Sequence, residues 1–218
     1  MRKNISGSYN IAIGSSALQE NLIGGGNTAV GYQTLVNNTT NNNAAFGYKA
    51  LTANTTGNSN SAFGFQSLRN NTIGTNNSAF GKDALKYNTI GISNSGFGYR
   101  SLFNNTTGSN NTAMGFYSLL LNTSGGNNSA FGFDALRNNT IGVNNTSVGY
   151  AALGSNTTGN QNTAVGYIAL NANTIGVANT AVGYTALSAN TTGSYNNAFG
   201  YTSLTSNTTG VYNSAFGH

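Results

Sequence analysis

Apolar positions recur along this chain at a fixed interval. With the Gly of each Ala-Val-Gly or Ala-Phe-Gly triplet as position 0, the repeat falls at Gly14, Gly31, Gly47, Gly64, Gly81, Gly98, Gly115, Gly132, Gly149, Gly166, Gly183, Gly200 and Gly217. Every interval is 17 residues except the 16 between Gly31 and Gly47. Position −1 is large and apolar, −2 is Ala in all but Gly96 and Ser147, and +1 is usually Tyr or Phe. Side chains of a strand alternate faces, so a short strand around the Gly has one bulky side and one nearly bare side. Position +4 is Leu in all 12 instances, while +2, +5, +6, +11 and +12 hold almost anything.

A position held against such drift is core. The expected interior combines the Leu rank (Leu35, Leu51, Leu68, Leu85, Leu102, Leu119, Leu136, Leu153, Leu170, Leu187 and Leu204) with the Phe or Val rank at −1 (including Phe46, Phe63, Phe80, Phe97, Phe131 and Phe199) and an aromatic from each coil. The bare Ala/Gly side has two readings. It invites close approach of another backbone, from a second wall or a neighbouring chain, or the Gly takes a turn conformation closed to other residues.

Polar positions punctuate the same interval. Asn-Thr-Thr/Ile-Gly at +7 to +10 reads as a corner, since Gly supplies positive φ and Asn tolerates it. Its Thr at +8 is expected outward and the frequent Ile at +9 inward. A second Asn stands at −4 in all 13 instances. Stacked at the strand spacing of about 4.8 Å, identical Asn side chains bond amide to amide, so Asn ladders are expected through Asn54, Asn71, Asn88, Asn105, Asn122, Asn139, Asn156, Asn173, Asn190 and Asn207. The 16-residue unit, with Asn41 to Asn43, loses its residue beside this corner.

Seventeen residues are too few for a two-helix repeat, and Gly and Asn at this density break helices. The predicted fold is all-β: a parallel β-solenoid (β-roll or β-helix) of about thirteen 17-residue coils, forming one uncapped repeat domain over residues 1–218. At the strand spacing such a rod is on the order of 60 Å long. The corner repeat already occupies Asn4 to Gly7 and the chain stops in mid-strand at Gly217 and His218. Uncapped ends of this kind favour head-to-tail stacking into a filament.

Composition narrows the chemistry. Only 5% of residues are charged and there is no Cys, Pro or Trp, which excludes disulfides and thiolate catalysis. The formal charge of +5 comes from Arg2, Lys3, Lys49, Arg69, Lys82, Lys86, Arg100 and Arg137, spread over many units; only Lys82, Lys86 and Arg69 could cluster, so no dense basic stripe for nucleic acid is expected. The three acids are Glu20, Asp83 and Asp134, with the two Asp three coils apart, and the sole His is His218. These cannot form a carboxylate pair, a triad or a metal set, so neither catalysis nor a cofactor is expected. The many Asn-x-Ser/Thr triplets follow from the corner repeat rather than from glycosylation. No apolar run approaches the roughly 20 residues of a membrane span, and the Met1–Asn10 stretch does not read as a signal peptide.

The motif Ala-Val/Phe-Gly-Tyr/Phe-x-Ala/Ser-Leu, preceded by Asn-Ser/Thr, resembles the repeats in the shafts of phage and virus fibre proteins, and is similar to the head repeats of trimeric autotransporter adhesins. The resemblance implies a homotrimeric fibre displayed outside a cell or on a virion and used for attachment. The expected function is that of a structural, adhesive fibre or filament component whose partners are further copies of itself and a cell-surface or glycan receptor, without membrane insertion. The alternative is an ice-binding solenoid using the Thr rank at +8.

Overall fold

The computed structural model of the chain describes residues 3–217. Met1 and His218, whose register bears on head-to-tail stacking, lie outside the described residues. The described residues contain no helix, hence none long and apolar enough to cross a membrane. The chain divides into two compact units between Asn110 and Asn111, both built as parallel β-solenoids. The first holds β1 (Ile11–Ile13), β2 (Thr28–Val30), β3 (Ala44–Phe46), β4 (Ser61–Phe63), β5 (Ser78–Phe80) and β6 (Ser95–Phe97). The second holds β7 (Thr112–Met114), β8 (Ser129–Phe131), β9 (Thr146–Val148), β10 (Thr163–Val165), β11 (Thr180–Val182), β12 (Asn197–Phe199) and β13 (Ser214–Phe216).

Within each unit consecutive strands pair in parallel with like positions in register, such as Ala62 with Ala79 and Ala164 with Ala181. The strand spans only −3 to −1, and two turns carry the chain away from it. Ala50 N–H donates to Gly47 C=O (3.5 Å) across the first turn, and Asn54 N–H to Leu51 C=O (3.3 Å) across the second. Both turns need left-handed backbone: φ is +54° at Lys49 and +52° at Leu51, and +2 and +4 repeat this through the chain. A left-handed L-residue costs roughly 1–2 kcal/mol. At Leu that cost is offset by full burial, worth about 1.5–3 kcal/mol. At +2 it is opposed by a bond to the preceding coil, as when Gln66 N–H donates to Tyr48 C=O (2.9 Å). Most backbone donors are spent on such inter-coil bonds, which gives a reason for the absence of Pro.

The Gly at position 0 answers both readings of the bare side. Gly47 has φ +131°, and a Cβ there would come 2.5 Å from the carbonyl oxygen of Gly64 one coil on. The close approach is therefore by the next turn of the same solenoid.

The interior differs from the one expected. Leu35 through Leu187 in the +4 rank are fully buried, with Leu204 in the last coil half-buried. Facing them are the small side chains of the strand centre and of +3, including Ala62, Ala164, Ala50 and Ser67. The Phe rank is outside: Phe46, Phe63, Phe80 and Phe97 are half-buried, and Phe131 and Phe199 are 37% and 36% exposed. The bulky and bare sides are as the alternation requires, but it is the bare side that turns inward. A coil of 17 residues encloses one Leu, two small residues and two Asn, which leaves no room for a ring. The Phe rings are sheltered instead by one another, stacked at 4.6–4.9 Å from Phe46 to Phe97.

Candidate functional site

Two kinds of column run along each unit. The buried one is made of amides. Asn71 Nδ2 donates to Asn54 Oδ1 (2.9 Å) and to the carbonyl of Gly74 (2.9 Å), and Asn88 Nδ2 donates in turn to Asn71 Oδ1 (2.7 Å). Asn105 continues this column to the end of the first unit, with Asn105 Nδ2 donating to Asn88 Oδ1 (2.8 Å). In the second unit the same link joins Asn139 to Asn122, Asn156 to Asn139, Asn173 to Asn156, Asn190 to Asn173 and Asn207 to Asn190, at 2.8–3.0 Å.

The −4 Asn forms a second column. Asn77 donates both its backbone N–H (3.0 Å) and Nδ2 (3.2 Å) to Asn60 Oδ1, while Asn60 Nδ2 reaches the Gly74 carbonyl (2.9 Å) that Asn71 also uses. The two columns thus share one acceptor per coil. Buried amides need such complete pairing, because each unmade bond costs about 1–3 kcal/mol. The +7 Asn of the Asn-x-Ser/Thr triplets, such as Asn54, is fully buried, so the folded chain withholds it from a glycosylating enzyme.

The Thr rank at +8 lies at the surface, half-buried or exposed, and braces one coil against the next. Thr55 Oγ1 donates to the Thr72 carbonyl (3.0 Å), and Thr174 Oγ1 to that of Thr191 (3.0 Å), so the hydroxyl protons point along the stack. At +9 the expected direction is reversed. Ile73, Ile141 and Ile175 face solvent, about half exposed. The 16-residue coil shows why one residue can be lost here: Asn38 Nδ2 donates to the Thr40 carbonyl (2.8 Å) two residues on, where Asn71 reaches three residues on to Gly74. Thr40 takes the place of the corner Gly, and the omitted residue is the outward one at +9.

The exposed columns are the +1 aromatics, expected in the core but kept out of it because the narrow coil has no room for a ring. In the second unit Phe116, Phe133, Tyr150, Tyr167, Tyr184 and Tyr201 stack at 5.1–5.3 Å between centroids with planes within 15° of parallel. In the first unit Tyr32, Tyr48 and Phe65 stack at 5.5 and 5.1 Å. Ring faces are covered by neighbouring rings, so the surface presents ring edges and phenol hydroxyls. Beside them runs the −1 rank of Phe, Val and Met, and together they form an apolar outer face.

Charged groups gather at one outer corner of each unit. In the first, Asp83 lies beneath Lys86 (Nζ to Oδ1, 3.1 Å) and Arg100 (Nε to Oδ2, 3.7 Å). In the second, Arg137 Nη1 is 3.7 Å from Asp134 Oδ2. The cations Lys82 and Lys86, singled out in the sequence as able to cluster, are joined here by Arg100, because the coil period brings +1, +2 and +5 of successive coils together. Among the described residues no three His, Cys, Asp or Glu side chains converge as for a metal ion. No family model matches the chain, and no curated protein or solved structure does so either.

Proposed function

We propose that the chain is a structural, non-catalytic component of a fibre displayed outside a cell or on a virion, and that it associates with copies of itself through the aromatic outer face. The observation that carries this reading is the exposure of that face in the second unit. Its six stacked +1 rings are 41–51% exposed; at about 150–250 Å² per aromatic side chain they offer roughly 500 Å². With Met114, Phe131, Val148 and Phe199 alongside, 36–44% exposed, the apolar face reaches about 800 Å², the share one partner gives to a standard interface. An ordinary monomer's largest apolar patch is about 300–600 Å². The buried amide columns supply the other requirement of a shaft, a stack stiffened by bonds at every turn.

Sedimentation of the full chain across a concentration series tests this. A discrete homo-oligomer is expected, with a trimer as the form the motif's resemblance implies. The triple substitution Tyr150→Ser, Tyr167→Ser and Tyr184→Ser should shift it to monomer while the β-type circular dichroism is kept. A wild-type chain that stays monomeric at about 100 μM, far above a micromolar Kd, would overturn the reading. Thermal hysteresis in such a monomer would favour ice binding instead.

A further inference from the structure

The first unit carries an arrangement of charge that the fibre reading does not use. Lys82 stands at +1, where neighbouring coils have rings, and its ammonium lies over both Phe65 (5.7 Å) and Tyr99 (5.8 Å). Arg100 lies over Tyr99 (5.2 Å) and Phe103 (4.9 Å), and Lys86 over Tyr87 and Phe103 (5.6 Å each). Cations and rings thus alternate in one continuous cluster, from Lys82 through Tyr99, Arg100 and Phe103 to Lys86. Arg69 shares the +5 rank with Lys86 one coil earlier.

Four cations and the single carboxylate of Asp83 leave a local surplus of three positive charges, in a chain with 5% charged residues. Asp83 is 3% exposed, and its position under Lys86 and Arg100 fixes those two side chains rather than cancelling the patch. Rings on either side restrain the cations further, and groups already ordered lose less entropy on binding.

We propose that this corner is a binding site for an acidic polysaccharide, a chain of sugars bearing carboxylates or sulfates that lies along the stack. A polyanion of this kind meets the cations of successive coils. Single-stranded nucleic acid fits less well, because it is gripped by stacking bases on ring faces. Here those faces are taken by cations and by neighbouring rings. The proposal is independent of self-association, which was argued from tyrosines of the second unit.

The test uses the full chain and four immobilised probes: heparin as the sulfated polymer, polygalacturonate as the carboxylated one, neutral dextran and single-stranded DNA. Salt-sensitive retention is expected on heparin, on polygalacturonate or on both, which tells sulfate from carboxylate recognition. None is expected on dextran, and DNA should be retained more weakly than the better polysaccharide. The double substitution Arg69→Gln and Lys82→Gln leaves the Asp83 pairs intact and should weaken retention at least about tenfold, at roughly 1 kcal/mol per cation near an anionic surface. Lys49→Gln with Arg137→Gln removes the same charge elsewhere and should change it less than about twofold. Equal losses in the two double variants, no retention of wild type on either acidic polymer, or DNA retained more strongly than both would each overturn the proposal. Circular dichroism confirms that each variant is folded.

Discussion

The amide columns and the aromatic columns repeat like residues at nearly the same spacing, yet they tolerate change very differently. Asn occupies +7 in all 12 instances, buried from Asn38 to Asn190. The +1 column, at a similar rise, accepts Tyr, Phe, Ser15 and Lys82, and the −1 column accepts Phe, Val, Ile and Met. Repetition alone therefore does not measure burial. An inner Asn is irreplaceable because it donates twice and accepts from the next coil in a place without water, and no other side chain of its size does all three. An outer ring needs only to cover its neighbour's face, which any broad apolar side chain does in part.

The largest break in that contrast is expected at Asn71. Asn71→Ala leaves Asn54 Oδ1, Asn88 Nδ2 and the Gly74 carbonyl each one bond short, at about 1–3 kcal/mol apiece. A loss of about 3–6 kcal/mol by chemical denaturation is expected. Asn71→Asp should be worse at neutral pH, because burial raises a carboxyl's pKa. The sign follows from linkage: with the folded value above the unfolded one, the penalty is full at neutral pH and shrinks as pH falls and the acid protonates. A stability of Asn71→Asp that does not rise on acidification would mean that the column admits water.

Next in size is the contrast between the two ranks once expected together in the core. Leu68→Ala removes a fully buried side chain and should cost about 2–5 kcal/mol. Phe63→Ala removes a larger one that is only half-buried and stacked between Phe46 and Phe80 at 4.6 and 4.7 Å, and should cost about 1–2 kcal/mol. Equal losses would place Phe63 energetically inside.

These two residues also mark how far the sequence could be read. The period, the parallel coil, Asn54 and its ladder, and the uniqueness of the Gly column were all legible, since each follows from one position repeated against a drifting background. The side of the strand that turns inward was not. Alternation separates Ala62 from Phe63 but carries no sign, and the usual inference that bulky means buried fails when the coil is too narrow to admit a ring beside Leu68. The charged corner was legible in part. Lys82 and Lys86 stand close in the chain and one coil from Arg69, but Arg100 joins them only when +1, +2 and +5 are wrapped around two turns whose left-handed residues, Asp83 and Leu85 (φ +59° and +50°), are not Gly.

Those left-handed positions give a smaller prediction of opposite sign. Ala151 occupies +2 with φ +49°, where a Cβ costs roughly 1–2 kcal/mol that Gly avoids, against the 0.5–1 kcal/mol of extra chain entropy Gly loses on folding. Ala151→Gly should therefore stabilise the protein by about 0.5 kcal/mol, although the same change inside a helix destabilises. A rise in the denaturation midpoint at unchanged slope is the outcome to look for, and a fall would show that the outer turn is not strained.

The smallest effect is expected where neither kind of column is involved. Lys3 Nζ lies 2.6 Å from Glu20 Oε2, and Gln19 Nε2 donates to Oε1 (3.0 Å). These bonds, Lys3's first, hold the Glu20 carboxyl below its ordinary value of 4.5. A carboxyl depressed in the folded state adds stability that is present above its unfolded pKa and is lost as pH falls through the folded one. Because the pair is exposed, salt screens it. Wild type should thus melt slightly above Glu20→Gln at neutral pH in low salt, and the two should coincide both in acid and in high salt. A gap that persists in acid would mean that Glu20 acts through packing and not through its charge.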